Sequence, residues 1–227
     1  MRIICTICAR KGSRGIKNKN LVKINGKPLI LHTLEQAKKI NFIDTIVVST
    51  DSKKIQKLVG KKYSWFLRPK QLSDHKSSKI LAIRHGLEMT EKKNNCKYDI
   101  IIDLDITSPL RIKSDIINSF KKFEKNKLKN LFSVCHPRKN PYFNIVELKK
   151  TKKTRYAPVK NYRNFYSRQS APVVYEMNAA IYIWKRKSLI SKRPLFNNKS
   201  GIFVMPRERS FDIDDKLDLK LVKFLKK

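Results

Sequence analysis

The sequence predicts a three-layer α/β fold built on a mainly parallel sheet. Three observations lead there. Strand-length runs that are almost wholly apolar recur along the chain, among them Ile3–Ala9, Tyr98–Leu104 and Leu131–Cys135. A strand apolar on both faces is the mark of a parallel sheet covered by helices. Amphipathic helical stretches separate these runs, and the joints between them are short and polar, so strand and helix alternate as in βαβ units.

Element by element, Ile3–Ala9 is the first strand and empties into a loop of Lys, Gly, Ser and Asn. Gly26-Lys27-Pro28 opens a helix over Leu29–Ile40, with Ile30, Leu31, Leu34 and Ala37 at helical spacing. Thr45–Thr50 is a second buried strand, stopped by Asp51-Ser52, before a short helix over Lys53–Lys61 and a short strand over Trp65–Leu67. Ser77–Lys93 reads as a helix with Ile80, Ile83 and Leu87 on one face. Tyr98–Leu104 is the third buried strand. Ser114 is expected to cap a helix over Ser114–Lys125, with Asp115 in its first turn. Leu131–Cys135 is the fourth strand.

Beyond Cys135 the rhythm breaks. Pro137, Pro141, Pro158 and Pro172, many aromatics and few helix signals mark residues 136–178 as an excursion from the core. Ala179–Trp184 and Ile202–Met205 return as strands, and Leu217–Leu225 reads as a helix. The expectation is one domain over 1–227 carrying an inserted subregion.

At 41% apolar residues a buried core is feasible, and no apolar run approaches the ~18 residues of a membrane span. The first ten residues read as a strand, not a signal peptide, which leaves a cytoplasmic globular protein as the expected class. The formal net charge of +35 attracts polyanions. A basic nucleic-acid-binding protein is therefore the rival from another class. The lysines are spread along the chain, however, and no zinc-finger spacing, RNA-binding aromatic signature or basic zipper occurs. A specific nucleic-acid partner and a membrane partner are not expected. Cys5 and Cys8 form a C-x-x-C, but three residues apart in a strand they point to opposite faces, so packing is their expected role.

In an open α/β sheet ligands collect at the carboxyl ends of the strands. After the first strand comes Ala9-Arg10-Lys11-Gly12-Ser13-Arg14-Gly15, followed by Ile16-Lys17-Asn18-Lys19-Asn20. Two glycines and a serine supply backbone N–H groups among five cations, a concave setting suited to a polyphosphate. It is neither G-x-x-x-x-G-K-[ST] nor G-x-G-x-x-G; a solvated basic turn is the plainer reading of the loop alone. Near the other end, Phe211-Asp212-Ile213-Asp214-Asp215 spaces Asp212 and Asp214 so that an extended segment projects both to one side, where they can share a hard divalent cation. The alternative is a helix cap from Asp214 or Asp215, and both can hold. A cationic phosphate loop plus a carboxylate pair suggests nucleotidyl transfer.

Taken together in order, several segments resemble the acylneuraminate cytidylyltransferases, the CMP-sialic acid synthetases. They are the A-R-x-G-S-R-G loop, V-V-S-T-D at Val47–Asp51, L-R-P at Leu67–Pro69, T-S-P-L-R at Thr107–Arg111, N-A-A-I-Y at Asn178–Tyr182 and F-D-I-D at Phe211–Asp214. The resemblance implies a Rossmann-like nucleotidyltransferase core whose excursion serves a homodimer. It implies CTP as nucleotide, with Arg10, Gly12, Ser13, Arg14, Lys19 and Asn20 at the triphosphate and ribose, and Arg68 and Ser78 at the base. It implies Mg²⁺ on Asp212 and Asp214, with Arg10, Lys19 and Asp214 as the catalytic set. The sugar would be met by Asp105, Ser108, Phe143, Arg168 and Asn178.

Departures from the family pattern bear on the sugar. Asp105 stands where sialic-acid members carry Gln, Phe143 where they carry Lys, and Glu176 where an Arg is expected. L-D-x-T-S-P-L-R, R-x-N-P-Y-F-N and R-Q-S-A-P resemble instead the subgroup that activates legionaminic acid, a nine-carbon relative of sialic acid. The implied reaction is attack of the sugar's 2-hydroxyl on the α-phosphorus of CTP, giving CMP-sugar and pyrophosphate. N,N'-diacetyllegionaminic acid is the expected nonulosonic acid. N-acetylneuraminate and a 3-deoxy-octulosonate are the alternatives.

Overall fold

The chain forms β1 (Ile3–Ala9), a short ribbon of β2 (Lys23–Ile24) and β3 (Lys27–Pro28), α1 (Leu29–Lys38) and β4 (Thr45–Thr50). Then come α2 (Lys53–Val59), β5 (Ser64–Leu67), α3 (Lys79–Asn94), β6 (Ile100–Leu104), α4 (Lys113–Lys125) and β7 (Asn130–Cys135). A second ribbon, β8 (Val146–Lys149) and β9 (Arg155–Pro158), precedes β10 (Glu176–Lys185), α5 (Arg186–Leu189), β11 (Ser200–Val204) and α6 (Lys216–Leu225). The computed structural model describes residues 1–13, 15–74, 77–142, 144–149, 155–158, 165, 167, 169–192 and 194–226.

Seven strands make one sheet in the order β11-β7-β10-β6-β1-β4-β5. All neighbours run parallel except β10, which is antiparallel to both β6 and β7. The mainly parallel α/β expectation therefore holds. Alternation along β1 explains the layers. Ile3, Cys5, Ile7 and Ala9 share one cluster with Ile30 and Leu34 of α1, Phe120 and Phe123 of α4 and Val222 of α6. Ile4 belongs instead with Ile83 and Leu87 of α3 and Leu189 of α5. Helices cover both faces. Each fully buried Leu or Ile adds about 1.5–3 kcal/mol of transfer free energy. Cys5 lies in the first cluster and Cys8 packs on the second, as their spacing predicts.

Several boundaries differ from the sequence reading. Ser114 is not the cap of α4, which starts one residue earlier. The first-turn Asp115 does the capping, its Oδ2 accepting from the Ile112 N–H at 3.0 Å, and it also pairs with Arg209 at 2.9 Å. Tyr98 stands outside β6, buried, with its hydroxyl 2.7 Å from Thr45 Oγ1. In β10 the pairing with β7 shifts between Met177 and Tyr182, and Ala179 sits there at φ 54°. A non-glycine residue in that region marks a built irregularity, one that re-aims the strand.

Candidate active site

A cavity of about 410 Å³ opens where β1, β5 and β6 end, walled by the start of α3 and by residues 212–214. Loop β1–β2 forms one side. Asp51, the last residue of V-V-S-T-D, accepts from the Lys11 N–H at 2.6 Å, and Asn20 Nδ2 donates to the Arg10 carbonyl at 3.0 Å. Lys19 Nζ donates to the Ile213 carbonyl at 2.6 Å and to Asp214 Oδ1 at 2.9 Å. The loop is thus stitched to the acidic segment almost 200 residues away. Gly15 makes the same junction: a Cβ there would lie 2.0 Å from the Asp214 carbonyl oxygen.

Each family motif has a structural task in this frame. Ser49 accepts from Arg68 Nε at 3.1 Å, and its carbonyl accepts from Nη2 at 2.8 Å, so the buried guanidinium is locked at the cavity edge. Ser78 caps α3, its Oγ accepting from the Ile80 N–H, and also lines the cavity. Thr107 Oγ1 and N–H donate to Asp105 Oδ1, and the Thr107 carbonyl accepts from Ile213 N–H at 3.0 Å. Arg111 is fully buried and donates to the carbonyls of Asp105 and Ala180, bracing the turn from behind. Burial lowers its pKa to about 10.

Of the expected site residues, Arg10, Ser13, Lys19, Asn20, Arg68, Ser78, Asp105, Asp212 and Asp214 share this cavity. Gly12 is exposed and outside its lining. Ser108 and Asn178 do not reach it. Both are buried; Ser133 Oγ donates to Asn178 Oδ1 at 2.6 Å, and Asn178 Nδ2 donates to Ser210 Oγ at 2.9 Å. Their hydrogen bonds run into the protein, from Ser108 Oγ to the Asn178 carbonyl and from Asn178 to Ser133 and Ser210. Arg14, Phe143 and Arg168 lie outside the described residues. The acidic segment divides its labour. Asp215 caps α6 by accepting from Leu217 and Asp218 N–H, and Asp218 returns bonds to the N–H groups of Asp214 and Asp215. Asp212 and Asp214 are left for the cavity.

Lys79 is the residue that sequence reasoning missed. Its ammonium lies 2.7 Å from Asp103 Oδ2 and 2.6 Å from Asp105 Oδ2, with the Tyr182 ring 5.4 Å away. One lysine among so many carried no signal; the alternating acids of Asp103-Leu104-Asp105 were the available clue. Burial works against the Lys79 charge, yet the two carboxylates raise its pKa well above the ordinary value. Burial also opposes ionisation of Asp105, and the Lys79 ammonium overrides it, holding that carboxyl far below its usual range. Among the described residues Asp212 forms no such ion pair, and Lys19 and Thr107 only partly favour its charge. Burial, reinforced by Asp105, pushes it up to about 6.

Cations on a glycine-bearing loop, an opposed carboxylate pair and an α/β sheet with helices on both faces define a nucleotide-binding protein of the transferase kind. Residues 4–226 match the Cytidylyltransferase family, and the chain belongs to it. It is 41% identical over 226 residues to post-translational flagellin modification protein B of Campylobacter coli, covering 98% of this chain and 94% of that protein. It is 40% identical to the CMP-N,N'-diacetyllegionaminic acid synthase of Campylobacter jejuni, with the same coverage of both. The fold superposes on a structure of CMP:2-keto-3-deoxy-manno-octonic acid synthetase complexed with CTP with a TM-score of 0.68. Identity to that structure is 18%, with 100% of this chain and 98% of that one covered. Among the described residues no helix is long and apolar enough to cross a membrane.

Proposed function

We propose that this cytidylyltransferase couples CTP to a nonulosonic acid, N,N'-diacetyllegionaminic acid in the first place, releasing pyrophosphate. The observation that carries the reading is the single cavity in which Arg10 and Lys19 oppose Asp212 and Asp214, beside Asp105. The named activity of the Campylobacter jejuni relative supports the choice of sugar.

Arg10 and Lys19 neutralise charge on the triphosphate and on the departing pyrophosphate, a preorganised electrostatic contribution. Arg68 and Ser78, which line the same cavity, serve the base. Asp212 and Asp214 suit a hard divalent cation. Asp212 Oδ1 is buried with no hydrogen-bond partner among the described residues, and Asp214 is an exposed carboxylate two residues on. Mg²⁺ held by Asp212 and Asp214 would supply Lewis-acid chemistry for the transfer. No histidine lines the cavity among the described residues, so Asp212 or Asp214 is the group to take the proton of the attacking 2-hydroxyl.

Two copies are expected to associate through the 136–178 excursion. Ile145, Val146, Val173 and Tyr175 are large, apolar and exposed there, which supports such a face. A need for CTP agrees with a cytoplasmic setting. The test is pyrophosphate release with CTP, Mg²⁺ and a panel of nonulosonic acids, alongside sedimentation of the protein. Higher kcat/KM for the legionaminic sugar than for N-acetylneuraminate is expected, with residual activity on the latter. Equal or reversed preference would overturn the choice of sugar, and a monomer would overturn the dimer.

A further inference from the structure

Asp105 and Asp212 line the cavity and Asp103 is buried in β6 two residues before Asp105, yet the acceptor proposed above is itself an acid. Something must offset them. Asp103 is completely buried, flanked in the sheet by Thr6 of β1 and Tyr182 of β10, and its Oδ1 accepts from Thr6 Oγ1 at 2.8 Å. Its Oδ2 meets the Lys79 ammonium. Asp105 directs Oδ1 to Thr107 and Oδ2 to Lys79. Its side chain is 20% exposed, against 35% for Lys79. An ammonium carries three N–H donors, and this one is shared by two carboxylates, so it has capacity for one further acceptor. Of the other cations on the described lining, Lys19 is held by the acidic segment and Arg68 by Ser49, while Arg10 belongs to the phosphate loop.

We propose that Lys79, held in place by Asp103 and Asp105, is the specificity-determining residue that meets the acidic sugar, and that Asp105 acts through it as a positioning residue. This rests on the proposed coupling of CTP to a sugar acid. It also reverses the expectation that Asp105 itself reads the sugar. Anchored by two acids, the ammonium loses little freedom when it takes a third acceptor; the triad carries −1 in all, so Lys79 meets the ligand as a directed N–H donor rather than through net positive charge.

The test uses the full-length protein with CTP, Mg²⁺ and N,N'-diacetyllegionaminic acid. Lys79→Met should lower kcat/KM for the sugar about 30-fold or more, the scale on which losing one member of a buried charge pair is felt. CTP binding, measured by calorimetry without sugar, should be retained. Because Lys79→Met strands the Asp103 charge, the second variant is Lys79→Met/Asp103→Asn, which removes that orphan. It should bind CTP and remain impaired toward the sugar. Lys79→Arg, which keeps a cation, should recover part of the loss. Recovery of sugar kcat/KM in the double variant would show that Lys79 only neutralises Asp103, and would overturn the proposal. Weakened CTP binding with an unchanged sugar KM would overturn it too, by assigning Lys79 to the nucleotide. Absence of CMP-sugar formation by the unaltered protein would instead refute the underlying function.

Discussion

Replacing Gly15 by alanine probes the junction between the phosphate loop and the carboxylate pair. Its added methyl would lie 2.0 Å from the Asp214 carbonyl oxygen and 3.1 Å from the Asp214 carbonyl carbon, where ordinary contact begins at 3.4 Å. Both are backbone atoms, so no side chain can swing aside. Gly15 has no left-handed φ, and the effect is therefore steric rather than conformational. To restore ordinary contact, from 2.0 to 3.4 Å, the loop or the acidic segment must retreat by about 1.4 Å, which separates Arg10 and Lys19 from Asp212 and Asp214. Overpacking of this kind costs about 1–3 kcal/mol of stability, whereas misplacing reactive groups by about 1 Å costs on the order of 10²-fold in rate. The expected outcome is a folded protein with kcat for pyrophosphate release down about 100-fold and a melting temperature lowered by a few degrees. Gly86→Ala is the control. That glycine is buried in α3, but its added methyl would meet Ser49, Thr6 and Val47 at 3.9 Å, an ordinary contact. It should keep full activity and gain about 0.5–1 kcal/mol. Wild-type kcat in Gly15→Ala would refute the idea that this close approach sets the distance between the two halves of the site.

Three further outcomes are expected. Arg10→Ala and Lys19→Ala should fold and lose CTP turnover; wild-type kcat/KM for CTP in both would remove the phosphate-site assignment. Asp214→Asn should largely abolish Mg²⁺-dependent turnover, with Asp212→Asn milder, while α6 stays folded because Asp215 is its cap; unchanged Mg²⁺ activation in both variants would count against a metal at this pair. Glu91 sits between Arg186, 2.7 Å away, and Lys97, 2.9 Å away. Burial resists its ionisation, but these partners and the Tyr98 N–H bring its pKa from the usual 4.5 down to about 2. A depressed carboxyl stabilises the fold above its unfolded pKa and loses that contribution as pH falls from about 4.5 toward 2. Glu91→Gln should therefore lose about 3 kcal/mol at neutral pH and flatten the unfolding curve across that acid window; an unchanged acid transition would show that the network carries no stability.

The legible part of this molecule was the part written in periodicity and charge. Apolar runs placed the core strands to within a few residues, because burial on both faces leaves no other pattern. The loop at Arg10–Asn20 and the pair Asp212 and Asp214 were visible because cations beside glycines and spaced acids are uncommon combinations. What depended on sheet order was not legible. Asn178 and Ser108 carry family motifs, yet their polar groups turn into the protein, toward Ser133 and Ser210 for one and the Asn178 carbonyl for the other. Lys79 was hidden for the opposite reason: its partners Asp103 and Asp105 lie more than twenty residues on, and only the placement of α3 against β6 brings them together. Ser114 is not the cap because α4 begins one residue earlier and Asp115, three residues after Ile112, accepts from the Ile112 N–H.

The ion triad of Lys79, Asp103 and Asp105 also constrains how this enzyme can change over generations. On the proposed role of Lys79, a lineage drifting toward another sugar would alter these positions, but losing Lys79 alone leaves two uncompensated acids, with Asp103 at 0% exposure. Breaking a buried pair one member at a time costs about 3–5 kcal/mol, a large share of a typical domain's stability. The neutral path therefore runs through paired substitutions, and the order in which they arrive matters. Replacing Asp103 first leaves Lys79 still matched by Asp105, whereas replacing Lys79 first leaves two acids facing each other. Substrate preference on this wall should consequently behave as an inherited block, shifting in jumps rather than by degrees.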